Sequence, residues 1–261
     1  MAIITLISDL GSKDSYLASV KGSIYSQLES ATIVDISHDI TPFNIQQAAY
    51  VLRNCFKDFP QGTIHIISID DELTSKNEHL AVKANGHYFI SADNGLFSLL
   101  LNEIRAEKIV KLNITQTTDC TTFAAKNIFV PAACHLARGG TMEIIGTEVA
   151  NFEVKSTELK AVIETDMIRG VVIYVDGYGN AITNISKEAF ECVQKGRNFS
   201  ILFGREDEQI TIISAKYKAV PPPEKLAIFG ENNLLQIAMN QGEANKLLGL
   251  NLHEIIRIEF K

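Results

Sequence analysis

Residues 3–7, Ile-Ile-Thr-Leu-Ile, make an almost unbroken apolar run that ends at Ser8-Asp9-Leu10-Gly11. Leu17, Val20, Ile24 and Leu28 then follow at helical spacing. Ile3, Ile4, Leu6 and Ile7 offer no polar face to water, which predicts a strand covered on both sides, as in the parallel sheet of an α/β protein. Ligands of an open α/β sheet gather at the carboxyl ends of its strands. Asp9 stands at that end, with Gly11 just beyond it and Ser12 or Asp14 placed to cap the helix. A carboxylate there suits a pair of sugar hydroxyls better than a phosphate, which would draw on bare backbone N–H groups. An ordinary turn aspartate followed by a turn glycine gives the same local pattern.

The alternation continues downstream. Ala31 to Ile36 predicts a second strand, and Asp39 to Phe43 a loop in which Pro42 keeps Thr41 extended and gives Phe43 a defined place. From Asn44 a helix is expected with Ile45, Ala48, Ala49, Leu52 and Phe56 on one face. A third strand, Thr63 to Ile69, runs into Asp70-Asp71-Glu72. His79 to Ala84 and His87 to Ser91 read as a hairpin across Asn85-Gly86. A turn at Asp93-Asn94-Gly95, a helix over Leu96 to Ile104, a short strand at Ile109 to Leu112 and a helix from Ile128 to Ala137 complete a three-layer α/β domain over residues 1–155. Pro131 falls in the first turn of the last helix, and Gly139-Gly140 closes it.

After a charged segment, Asn151 to Thr165, the pattern changes to short strands separated by Gly, Pro and Asn turns. Val171 to Val175, Phe199 to Phe203, Ile210 to Ile213, Leu226 to Phe229 and Ile255 to Phe260 predict a small antiparallel β-barrel over residues 165–261.

Composition excludes several functions. A net charge of −7 argues against a nucleic-acid partner, which would require a basic face. No apolar run approaches the roughly 20 residues of a membrane span, and the N-terminus lacks the pattern of a signal peptide. Four scattered cysteines, Cys55, Cys120, Cys134 and Cys192, suit reduced thiols in a cytoplasmic protein and neither a zinc knuckle nor a disulfide framework. The histidines show no metal spacing; His65, in an apolar strand, and His135, in a helix, read as hydrogen-bonded structural residues. Met167 and Met239 read as gap fillers. No glycine-rich dinucleotide fingerprint, P-loop or nucleophile elbow is present.

Four loops remain as carriers of chemistry: Asp9-Leu10-Gly11, Thr41-Pro42-Phe43, Asp70-Asp71-Glu72 and Asp176 to Asn184. Tyr178 can stack on a flat base, and Asn180 offers the donor and acceptor that read an adenine edge. Each loop taken singly also fits plain turn chemistry.

In order along the chain, six stretches resemble the S-adenosyl-L-methionine hydroxide adenosyltransferase family, relatives of the fluorinase and chlorinase enzymes. They are Leu6 to Tyr16 with Lys21-Gly22, Asp35 to Phe43, Ala92 to Leu96, Asn127 to Ala133, Val175 to Ile185 and Gly230 to Gly242. The resemblance implies a Rossmann-like N-terminal domain, a C-terminal barrel and a homotrimer with adenosine sites at subunit interfaces. It also implies hydrolysis of S-adenosyl-L-methionine by water attack at the ribose 5′-carbon, giving adenosine and L-methionine without a cofactor. Carried over by position, Asp9 holds the ribose hydroxyls and Phe43 lines the ribose–sulfonium region. Tyr178 and Asn180 stack on and read the adenine, main chain near Asn232 and Asn233 helps, and Asn94 and Glu231 complete the substrate-binding set.

The chain departs from the family at the catalytic set. Asp70 matches the family's aspartate, but Asn77 stands where an arginine is expected and Ala124 where a histidine is expected. Gln236 replaces a glutamate in the C-terminal stretch. Without the arginine, Asp71 and Glu72 are expected to push the Asp70 pKa upward. Ala125 replaces the hydroxyl residue of the halogenating relatives, which disfavours halide use. Three readings stay open: a hydrolase, a catalytically impaired protein of the same fold that binds S-adenosylmethionine or adenosine, and an enzyme using another nucleophile or nucleoside.

Overall fold

β1 (Ile3–Ser8) is buried from Ile4 onward and hydrogen-bonds on both edges to parallel neighbours, which is why its sequence can be apolar at successive positions. The computed structural model describes residues 2–102, 104–116, 121–155, 160–204 and 209–261. The chain divides into two units, Met1–Ser156 and Thr157–Lys261.

In the first unit, β1 is followed by α1 (Ser15–Gln27), β2 (Thr32–Ser37), α2 (Ile45–Arg53), β3 (Ile64–Ser68) and the hairpin of β4 (His79–Ala84) and β5 (His87–Ala92). Then come α3 (Leu96–Leu101), β6 (Ala106–Leu112), α4 (Val130–Ala137) and β7 (Gly146–Glu148). The sheet runs β2-β1-β3-β5-β4-β6-β7. β2, β1, β3 and β5 are parallel, while β4, β6 and β7 pair antiparallel. Ile4 and Leu6 point into a core shared with Val20 and Ile24 of α1 and with α4. Ile7 and Ile67 point into a second core with α2 and α3. Helices on both faces give the three layers that the alternation predicts.

Local chemistry sets several boundaries. Asn85 and Gly86 both take positive φ, 49° and 76°, as a two-residue hairpin of this hand requires. Asn44 caps α2 by accepting from Gln47 N at 2.9 Å. Asp14 occupies the cap position of α1 but makes no capping bond, so the cap expected from Ser12 or Asp14 is not formed. α3 stops at Leu101, short of Ile104, because Asn102 takes φ 35° and leaves the helix. α4 is entered through one π turn, Ala125–Phe129, with Pro131 in its first α turn.

In the second unit, β8 (Val162–Ile163), β9 (Met167–Val175), β10 (Ala181–Ser186), α5 (Lys187–Gln194), β11 (Phe199–Leu202) and β12 (Gln209–Ile210) precede β13 (Lys225–Phe229), β14 (Leu234–Met239), α6 (Ala244–Leu248) and β15 (Ile255–Phe260). The antiparallel order is β12-β11-β15-β9-β10-β14-β13, with β8 beside β9. Past β12, Ile213 bridges Ala227 of β13, and Ser214 N donates to Ala227 O at 2.7 Å. That link joins the two ends of the sheet into a nearly closed barrel around Ile168, Val172, Phe190, Ile237 and Ile258.

β10, β14 and α5 are elements that the strand pattern did not announce. Thr183 and Asn184 look like turn residues. Within β10, however, Thr183 donates to Leu235 O at 2.9 Å, and Asn184 Oδ1 accepts from Val171 N at 2.8 Å where the ladder shifts register. Conversely, only Gln209 and Ile210 of the expected 210–213 strand are laddered. Cys55, Cys134 and Cys192 are free thiols; Cys120 lies outside the described residues, as does part of the charged segment 151–165.

Candidate functional site

Four parallel strands of the first unit end side by side, and each hands over to a loop carrying one of the expected residues. Asp9 follows β1, Phe43 lies in the loop after β2, Asp70 and Asp71 follow β3, and Asn94 follows β5. Asp9 Oδ2 accepts from Phe43 N at 2.8 Å, so the two loops are tied together. Phe43 has φ 65° and its ring is 72% exposed. A large aromatic in that conformation is uncommon and costs strain, which the Asp9 bond helps to hold.

The turn beneath Asp9 is braced from β2. Gly11 N donates to His38 O at 3.0 Å, with Gly11 at φ 67°. The Ser8 hydroxyl lies 2.7 Å from His38 Nδ1 and 3.4 Å from Leu10 N. His38 Nε2 is 3.1 Å from Asp35 Oδ1, and Asp35 Oδ2 is 2.6 Å from Lys21 Nζ. Burial works to raise the Asp35 pKa, but Lys21 and His38 outweigh it and hold the carboxyl below its ordinary value.

Asp70 is exposed and left-handed, with φ 47°. Its carbonyl accepts from Asn77 Nδ2 at 2.9 Å and from Asn94 Nδ2 at 3.2 Å. Asn94 also donates to Ile69 O at 2.9 Å and accepts from Leu96 N at 3.2 Å, so its amide is engaged throughout by main chain. Asp71 is the more enclosed of the pair. Burial raises its pKa, and the charges of Asp9 and Asp70 raise it further, against the Ser68 hydroxyl that donates to Oδ2 at 2.7 Å. The Asp71 carbonyl lies 2.8 Å from His79 Nε2 and can only accept, so that nitrogen carries the proton. Burial lowers the His79 pKa. Ala124 and Ala125 are buried in the core at the π turn, 2% and 1% exposed.

The second unit contains a cavity of about 1020 Å³ walled by Asp176, Tyr178, Asn180, Tyr217, Met239 and Leu247. Asp176 organises its loop: Oδ1 accepts from Tyr178 N and Asn180 N at 2.9 Å each, and Oδ2 accepts from Asn180 Nδ2 at 2.8 Å. Gly179 must be glycine, because at φ 79° any Cβ would lie 2.7 Å from Asn245 Oδ1 and 2.9 Å from Glu243 Cα. Tyr178 is 82% exposed on this wall, while Asn180 is buried behind it. Tyr217 donates to Gln236 Oε1 at 3.1 Å; burial, then the charge of Asp176, raises its pKa. The cavity offers two phenol rings, a thioether and a leucine, which suits a flat heterocycle, and at its rim Lys246 pairs with Glu243.

Glu231 and Asn232 are not among the residues that wall this cavity. Their turn leads into β14, and Lys187 N donates to Asn233 O at 2.8 Å, beside the end of β10. Ala181, just after Asn180, pairs with Ile237, whereas Ser186 pairs with Leu234. A register shift in β10 lets Ala181 to Ser186 span only Ile237 to Leu234 of β14, so the two turns lie at the two ends of a short pairing, roughly 10 Å along β14 at about 3.3 Å per residue.

Sequence reasoning placed Asp71 within the acidic loop but gave it no role at the site, since one of three neighbouring acids carries no local mark of burial. It missed Tyr217, and it assigned Met239 to gap filling when that side chain faces the cavity. Among the described residues no group of three or more His, Cys, Asp or Glu is arranged to hold a metal ion, and no helix is long and apolar enough to cross a membrane.

Comparison with known proteins places this geometry in context. The chain is 29% identical to an (R)-S-adenosyl-L-methionine hydrolase of Methanocaldococcus jannaschii, over 98% of this chain and 95% of that protein. It is 28% identical to an (R)-S-adenosyl-L-methionine hydrolase of Thermus thermophilus, over 96% of both. A crystal structure of an uncharacterized conserved protein from Thermotoga maritima superposes with a TM-score of 0.89 at 28% identity, covering 98% of this chain and 99% of that one. Residues 4–146 match the SAM hydroxide adenosyltransferase N-terminal domain and residues 170–257 its C-terminal domain. With both domains matched in order, the chain belongs to the SAM hydroxide adenosyltransferase family.

Proposed function

We propose that this protein hydrolyses S-adenosyl-L-methionine, with water displacing methionine from the ribose 5′-carbon. The observation that carries the reading is the near-full-length similarity to two proteins named as hydrolases of that substrate. The water oxygen bonds to the 5′-carbon as the carbon–sulfur bond breaks. That electron pair returns to sulfur, giving neutral methionine, and the water proton passes to a carboxylate and on to solvent. A sulfonium is a good leaving group and needs no cofactor, so the protein mainly has to hold the carbon in line and strip the water.

Asp70 is the proton acceptor in this scheme. Asp9 holds the ribose hydroxyls, and Phe43 lines the ribose–sulfonium region. Tyr178 stacks on the adenine and Asn180 reads its edge, as the cavity wall they form supports. Asn94 serves the site through the Asp70 loop, since its amide is already engaged there. Glu231 and Asn232 complete the nucleoside site in a homotrimer whose sites lie at subunit interfaces. Asn77 and Ala124 replace the family's arginine and histidine, and the protein works in the cytoplasm.

The test is incubation of the pure protein with S-adenosyl-L-methionine, following adenosine and methionine by chromatography. Equal amounts of both products are expected, and Asp70→Asn should slow their release about 10²–10⁴-fold, the usual cost of losing a positioned acid–base group. Tight binding of the substrate with no product would overturn the reading.

A further inference from the structure

Asp70 is a non-glycine residue in the left-handed region at the end of β3, and such a residue stays there only where its surroundings hold it. What holds it is two asparagine amides on one carbonyl, Asn77 at 2.9 Å and Asn94 at 3.2 Å. The second hydrogen of Asn77 Nδ2 goes to Glu72 O at 3.0 Å, so one nitrogen spans the loop from residue 70 to residue 72. Backbone bonds Thr74 N to Asn77 O (3.2 Å) and Asn77 N to Thr74 O (3.3 Å) fold the loop back so that Asn77 can reach. The amide cannot be turned over, since Oδ1 would then face two carbonyl oxygens. Asn77 Oδ1 itself has no hydrogen-bond partner among the described residues, and its Nδ2 donates only to the loop.

We propose that Asn77 is a positioning residue for Asp70, fixing its carboxylate by clamping its main chain in the left-handed conformation; the inference rests on the hydrolase reading. A long cation at this position would act on the carboxylate itself. The shorter amide acts one peptide away, on the main chain of Asp70. An aspartate at 77 would set a carboxylate against two carbonyl oxygens, and an alanine would release both.

The experiment combines kinetics with structures of the same variants. With S-adenosyl-L-methionine, Asn77→Ala should lower kcat about 10- to 100-fold with little change in KM, the scale expected of a catalytic group displaced by about an ångström. If Asn77 acts only through Asp70, adding Asn77→Ala to Asp70→Asn should cost nothing further. Independent, multiplying losses would overturn the proposal, as would an unchanged kcat. A crystal structure of Asn77→Ala should show residue 70 out of the left-handed region. Retention of that conformation would overturn the clamp even if the wild type makes no adenosine, a result that by itself sinks only the hydrolase reading.

Discussion

His65 has no exposed surface, and its ring is boxed in by Phe56, Phe59 and Phe89. Thr5 Oγ1 lies 2.7 Å from Nδ1, and His87 Nδ1 lies 3.2 Å from Nε2. Burial, then the neighbouring His87, lowers its pKa to about 3. The unfolded chain, with an ordinary histidine near 6.5, binds a proton that the folded chain refuses. Stability is therefore full above that value and falls as pH drops toward the folded pKa, at about 1.4 kcal/mol per pH unit inside the window. Denaturant unfolding between pH 6 and pH 4 should show this slope in the wild type and a shallower one in His65→Gln; parallel profiles would refute the assignment. The structural role of His65 was legible because an ionisable ring inside an apolar strand must be paired. Its partners were not, because Thr5 and His87 are brought in by neighbouring strands. Asp71 was illegible for a related reason. Three acids in a row look alike until Ser68 and the chain fold enclose one of them.

Turns and helices differ in how much of their form is local, and two glycines make the point. Gly22 lies mid-way along α1 on its exposed side, and a Cβ there would meet nothing within 4 Å. Gly86 sits in the β4–β5 turn at φ 76°, where a Cβ would approach Gln61 Cδ to 3.0 Å. The same chemical change should then have opposite signs. Gly22→Ala should stabilise by about 0.5–1 kcal/mol through helix propensity, and Gly86→Ala should destabilise by about 1–2 kcal/mol through left-handed strain. Urea midpoints at unchanged slope read both, and two shifts of the same sign would contradict the account. The Asn85-Gly86 hairpin was legible in the sequence because both its residues and its conformation are local. β10 and β14 were not, because the Thr183 hydroxyl donates to Leu235, a residue distant in the sequence, and Asn184 accepts from Val171 of the preceding strand.

At the scale of the molecule, the proposed homotrimer raises the question of which copy supplies each turn of a site. The Tyr178–Asn180 loop and the turn at Glu231 and Asn232 lie at the two ends of the β10–β14 pairing. If the site takes one of these turns from each of two neighbouring copies, a closed cyclic assembly with head-to-tail interfaces supplies them. Sedimentation should then give a trimer, but mass alone does not show a shared site. Mixing does. Tyr178→Ala and Glu231→Ala chains, each impaired alone, are unfolded together and reassembled in equal amounts. Random assembly leaves about a quarter of the shared sites with both positions intact, so the mixture should recover about that fraction of wild-type activity. Were both positions to serve a site within one chain, every site would carry one defect and mixing would restore nothing. Full activity of Glu231→Ala by itself would remove that residue from the site and leave Asn232 and the main chain of its turn as the contact to examine.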